Sequence, residues 1–148
     1  MKLTHKLSLA ALLLGTVALT GCATQDATVN DEPLENTYWK LLSVGEHAAV
    51  TTDQASEAHL VLHTEESRLA GSTGCNRLMG QYERDDDRLS FGQLATTRMA
   101  CPSEAMMQEQ HVLEALNETA RWQIEGKTLT LIDTENAARA RFEAVHLY

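Results

Sequence analysis

Two cysteines, four histidines and one arginine are the residues of this chain best placed to do chemistry. Cys75 lies in the bend Gly71-Ser72-Thr73-Gly74-Cys75-Asn76, and Cys101 follows 26 positions later, ahead of Pro102. A cysteine in such a place can act as a nucleophile, hold a metal or anchor a covalent staple. A nucleophile needs an activating base, and His47, His59, His63 and His111 are the candidates, but none sits in a catalytic string around a cysteine. There is no C-x-x-C redox pair, no G-x-S-x-G and no glycine-rich phosphate loop. His59 and His63 flank Leu60-Val61-Leu62, a strand-like run, so they share a strand face roughly 13 Å apart, too far to bind one metal. Asp85-Asp86-Asp87 lacks the alternating ligands and terminal Glu of a calcium loop, and reads as a solvated hairpin tip. Met99, Met106 and Met107 suggest either a soft-metal site or core filling, with core filling favoured. No other metal or cofactor is indicated.

The chain's address narrows the choice. Met1 to Lys6 is short and basic, and Leu7 to Thr20 is apolar or small without a charge. At about 14 residues that run falls short of the roughly 20 needed to span a bilayer, so residues 1–21 read as a secretory signal. Leu19-Thr20-Gly21-Cys22 resembles the lipobox of bacterial lipoproteins. The resemblance implies acylation of Cys22, which becomes the new N-terminus and a stable membrane anchor. Ala23, rather than Asp, follows the cysteine, which in the lipoprotein sorting pattern implies an outer-membrane protein facing the periplasm. Lys2 and Lys6 leave with the signal, so 10 basic residues face 21 acids and the mature charge is about −11. That excess excludes nucleic acid as a partner, because phosphate binding depends on Lys and Arg. With Cys22 consumed by lipid, Cys75 and Cys101 remain as a pair in an oxidising compartment. Bonded, they close a 27-residue loop, a constraint of roughly 3–4 kcal/mol. The staple is the favoured reading; a periplasmic thiol enzyme using Cys75 is the alternative.

Positioning these residues falls to one small domain. Residues 22–36 are polar, contain Pro33 and lack periodicity, and read as a tether, with the domain over 37–148. Strands are predicted at Thr37–Ser43 with Trp39 and Leu41 inward, His59–His63, Arg68–Gly71, Leu78–Tyr82 and Arg88–Phe91, and Leu94–Thr97 continues as strand or extended loop. Residues 45–57 read as loop. One helix is predicted after Cys101, with Pro102 as breaker and Ser103 as N-cap. Its inward face is read as Met106, Val112, Leu113, Leu116 and Ala120. A meander follows through Trp122 and Ile124, Thr128–Ile132 and Ala138–Ala144, turning at Gly126 and near Asn136. The fold class is therefore α+β: a curved, barrel-like antiparallel sheet with one packed α-helix.

Gly74-Cys75-Asn76, Gly80-Gln81-Tyr82, Leu89-Ser90-Phe91 and Thr96-Thr97-Arg98-Met99-Ala100-Cys101-Pro102 resemble the signature of the META domain and HslJ-like heat-shock envelope lipoproteins. The opening Asn36-Thr37-Tyr38-Trp39 fits too, so the likeness spans about residues 35–145. It implies a half-open barrel, a part in envelope stress or drug tolerance, and no established catalysis. Asn76, Thr96, Thr97, Arg98 and Met99 carry the motif and are its candidate binding residues. Arg98, one of few cations, reads first as a structural arginine bridging carbonyls or an acid such as Glu104 or Glu109, and second as a ligand contact. Members often have glycine where Asn136-Ala137 stands; Asn tolerates the left-handed backbone that such a turn requires. The expected function is a lipid-anchored, non-catalytic binding module with an envelope protein as partner. A looser likeness to secretion-system pilot lipoproteins adds a third reading, an inhibitor or chaperone that captures a peptide or lipid chain.

Overall fold

The computed structural model describes residues 30–51 and 56–146. Among the described residues, nine strands and one α-helix occur in the order β1 (Tyr38–Val44), β2 (His47–Ala48), β3 (His59–His63), β4 (Arg68–Ser72), β5 (Arg77–Asp85), β6 (Arg88–Thr96), α1 (Ser103–Glu118), β7 (Arg121–Glu125), β8 (Thr128–Ile132) and β9 (Ala138–Val145), with one 3-10 turn at Glu65–Ser67. All pair antiparallel in the order β2-β1-β3-β4-β5-β6-β7-β8-β9, and β9 returns to pair with β1, so the sheet curls into a ring. The ring's sparsest pairing is between β6 and β7. There the register holds only at Arg88 and Arg121, with Leu89 N–H donating to Ala120 O and Trp122 N–H to Asp87 O, both at 3.1 Å. The α1 insertion falls in this seam, and the helix packs across β1, β6, β8 and β9.

Alternation along the strands makes the core. Trp39 and Leu41 on β1, Leu60 and Leu62 on β3, Leu129 and Leu131 on β8, and Ala140, Phe142 and Ala144 on β9 all face inward and are buried. Each fully buried Leu or Phe contributes about 1.5–3 kcal/mol. Three bulges bend the ring by placing one extra residue outside the pairing: Leu42 on β1, a residue of β6 opposite Gly80, and Arg139 on β9. Leu42 is consequently exposed although the strand around it is core. Close packing fixes Gly71 on β4, where a Cβ would sit 2.1 Å from the His59 carbonyl oxygen of β3. In the β8–β9 turn Asn136 takes the anticipated left-handed backbone at φ 68°, with Asp133 Oδ1 accepting from the backbone of Glu135 and Ala137.

The helix face is rotated from the expected one. Ala105, Gln108, Val112, Ala115 and Leu116 are buried, Leu113 is half-buried, and Met106 points to solvent; Ala120 lies beyond the helix. Pro102, not Ser103, is the N-cap, and no side chain caps the helix. The core-filling reading of the methionines is corrected: Met99, Met106 and Met107 are 62%, 48% and 55% exposed. Arg139, displaced outward by its bulge, reaches Glu114 and Glu118 on the last turns of α1 and ties the helix to β9. Tethering also ends earlier than the sequence suggests. Glu32 N–H donates to Gly126 O at 2.9 Å, Trp39 Nε1–H donates to Leu34 O at 2.8 Å, and Leu34 is 5% exposed in the core. Residues 31–36 thus lie across the barrel end opposite α1.

Candidate functional site

The bend between β4 and β5 is a self-closed turn. Thr73 N–H donates to Asn76 O at 2.9 Å, and Thr73 Oγ1 accepts from Asn76 N–H at 3.0 Å. Gly74 adopts φ +96°, and a Cβ there would stand 2.4 Å from Gln108 Nε2, so only glycine fits both the backbone and the helix against it. This geometry aims Cys75 at the chain leaving β6, where it is bonded to Cys101 at 2.03 Å with Cα atoms 5.8 Å apart. Cys75 is 6% exposed.

Asn76 is the hub of the arrangement. Its Oδ1 accepts from Thr97 Oγ1–H and Met99 N–H, both at 2.8 Å, and its Nδ2 donates to Glu109 Oε2 at 3.0 Å and toward Cys75 Sγ at 3.3 Å. Thr73 Oγ1–H also donates to Glu109 Oε2, at 2.7 Å. Thr97 Oγ1 in turn accepts from Arg77 N–H at 3.1 Å. Three segments, the bend, the 97–101 strap and α1, are therefore latched by one buried amide, one carboxylate and one disulfide. Burial makes each of these bonds expensive to lose, because an orphaned polar group costs about 1–3 kcal/mol.

The candidate motif residues divide accordingly. Asn76 and Thr97 bind each other, and Met99 joins them through its backbone while its thioether points outward. Thr96 closes β6 opposite Leu78. Arg98 is exposed and makes no hydrogen bond or ion pair among the described residues; the carboxylate of Glu109 goes to Thr73 and Asn76 instead. The structural-bridge reading of Arg98 is thereby corrected. Cys22 lies outside the described residues.

Beside the latch is a cleft of about 350 Å³ between α1 and the β1–β2 corner. Val44, Ala48, Val50 and Met107 give it apolar walls, and Glu46, Glu104, His47 and His111 supply its polar groups. Gln108 joins cleft and latch: its Oε1 accepts from Val50 N–H at 2.6 Å and its Nε2 donates to Thr73 O at 2.8 Å. Inside, the rings of His47 and His111 stack with centroids 4.6 Å apart and planes inclined by 10°. Sequence reasoning missed Thr73, Gln108 and the histidine pair. Only Gln108 left a signal, as a polar residue at helical spacing from Val112, Ala115 and Leu116.

The opposite end is more open and ionic. Asp31 Oδ1 accepts from Gly126 N–H at 2.7 Å, His146 meets Glu32 at 3.1 Å, and Glu35 lies 3.5 Å from Arg84. The Tyr82 hydroxyl donates to Glu35 at 2.8 Å, and burial, reinforced by that carboxylate, pushes its pKa up to about 12. Burial followed by the Glu57 carboxylate does the same to Tyr38, also to about 12.

This architecture and its signature have relatives. The chain shares 30% identity and a TM-score of 0.64 with a protein from Burkholderia xenovorans solved by NMR, over 77% of this chain and 85% of that one. A second NMR structure gives 25% identity and a TM-score of 0.59, over 74% and 90% respectively. No curated protein matches the chain. The META domain family model matches residues 32–146, a span that takes in the Leu34 plug, the whole ring and the latch at Asn76; the chain belongs to the META domain family.

Proposed function

We propose that this protein is a non-catalytic binding module of the bacterial cell envelope, anchored through acyl chains on Cys22 to the outer membrane and serving stress or drug tolerance. The observation that carries the reading is the saturation of the signature. Asn76, Thr97 and Glu109 spend their polar atoms on one another, and Cys75 is bonded to Cys101. A motif used in this way builds a rigid end with a cleft, which suits recognition rather than turnover. The anchor and the cleft also fit each other. Residues 31–36 lie at the end opposite α1, so an anchor on that side would leave the cleft facing away from the membrane.

Two experiments test the two halves. Cys22→Ser is expected to move the protein from the membrane pellet to the soluble fraction, and a variant that still pellets overturns the anchor. A photo-crosslinking residue at position 106, beside the cleft, is expected to trap an envelope partner in cells that the same residue at position 125 does not. Equal trapping, or none, from the two positions overturns the cleft as the binding end. The thiol-enzyme alternative requires free Cys75, and mass analysis after alkylation without reductant distinguishes it.

A further inference from the structure

We infer that the cleft holds a monovalent copper ion between His47 and His111, with the Met107 thioether as third donor. Three independent features meet there. The stacked rings come from residues 64 positions apart, one on the two-residue edge strand β2 and one in the middle of α1. Their proximity is therefore built by the fold: Val44 pairs with His47, and Gln108 fastens Val50 to the helix. Both rings are also free to ligate. Among the described residues, the ring nitrogens of His47, His111 and His63 have no hydrogen-bond partner, whereas His59 binds Glu57 O and His146 binds Glu32; of the free rings only His47 and His111 face each other. Finally, Met107 precedes His111 by four residues, one helical turn, lines the same cleft, and is 55% exposed where a core methionine would be covered.

The donor set selects the ion. Imidazole nitrogen accepts several first-row metals, but a thioether favours soft Cu(I). Among the described residues no three His, Cys, Asp or Glu side chains group closely enough to hold a metal, and Met107 is the soft donor that lines the cleft beside the two imidazoles. Glu46 and Glu104 line the cleft, and among the described residues neither makes an ion pair, so their field draws a cation in. No electron transfer is involved: Cu(I) arrives and leaves as Cu(I). The inference stands whether or not Cys22 carries lipid.

The test is anaerobic titration of the purified, disulfide-intact protein with Cu(I) in ascorbate, against a chromophoric Cu(I) chelator. The expected result is one Cu(I) withdrawn per chain. His47→Ala and His111→Ala should each weaken it by more than the roughly 10–100-fold that loss of an outer-sphere partner costs. Met107→Leu should weaken Cu(I) while leaving weak Ni(II) binding to the two imidazoles unchanged, a split that a structural role for Met107 would not produce. Unchanged melting temperatures establish that the variants remain folded, as these exposed or half-buried side chains predict. Failure to withdraw copper, retention of copper by the histidine variants, or an equal loss in Met99→Leu overturns the site.

Discussion

At one barrel end the chain's own residues 31–36 lie across the strand tips, and at the other α1 does. The first closure rests on one apolar plug, Leu34, ringed by ion pairs between an exposed base and a half-buried acid, Arg84 with Glu35 and His146 with Glu32. The second rests on a disulfide and buried, saturated hydrogen bonds around Asn76. Exposed ion pairs contribute about 0–1 kcal/mol each, whereas buried polar groups lose more when a partner goes. The stronger closure is at the end with the cleft, so rigidity is invested where the helix must hold Gln108 and His111 in register with β2.

That contrast can be broken in graded steps. Removing the staple with Cys75→Ala and Cys101→Ala together should cost roughly 3–4 kcal/mol in denaturant unfolding; a loss below about 1 would place the far end's stability elsewhere. Asn76→Ala, with the disulfide intact, should cost about 2–3 kcal/mol, since it orphans Met99 N–H and the Thr97 hydroxyl. Leu34→Ala is expected to cost about 2 kcal/mol, the low end for a buried leucine because the plug sits at the rim; a cost above that of Asn76→Ala reverses the ranking of the ends.

Alkaline titration probes the near end more gently. Tyr82 and Tyr38 hold their protons to about pH 12 when folded, against 10.0 unfolded. Their stabilisation is complete below pH 10 and drains as pH rises toward 12. Tyr82→Phe should cost about 1 kcal/mol at neutral pH and flatten that alkaline decline, read from melts at stepped pH. Smallest of all, Arg84→Ala should shift stability by no more than about 0.5 kcal/mol, because the arginine is exposed and its contact with Glu35 is long, at 3.5 Å.

Where one period dominates, the sequence was readable. Trp39 and Leu41, Leu129 and Leu131, and the Ala140-Phe142-Ala144 row alternate as strands must, and each faces the core. The left-handed backbone at Asn136 was permitted by its residue type, while the turn type itself was left open by the sequence. The helix was found but turned wrongly: Met106 is apolar and exposed, while Gln108 is polar and buried because the Thr73 carbonyl and the Val50 amide satisfy it. Hydropathy cannot anticipate such satisfaction, which depends on segments distant in sequence. The same holds for the histidine pair and for the Leu34 plug, whose polar neighbours conceal it in a tether-like stretch. The bulge at Arg139 was hidden by an alternation that looks unbroken in sequence.

The ring's closing seam sets an order in time. β1, the first strand, finds β3 within a short stretch of chain, but its other edge waits for β9, with Tyr38 pairing Val145. Until the last strand exists, that edge presents unpaired amides beside Trp39 and Leu41, the kind of template on which aggregation starts. Because so distant a pairing is slow to form, with ring-like β topologies folding in milliseconds to seconds, the most vulnerable moment of this molecule comes after nearly all of it has been made.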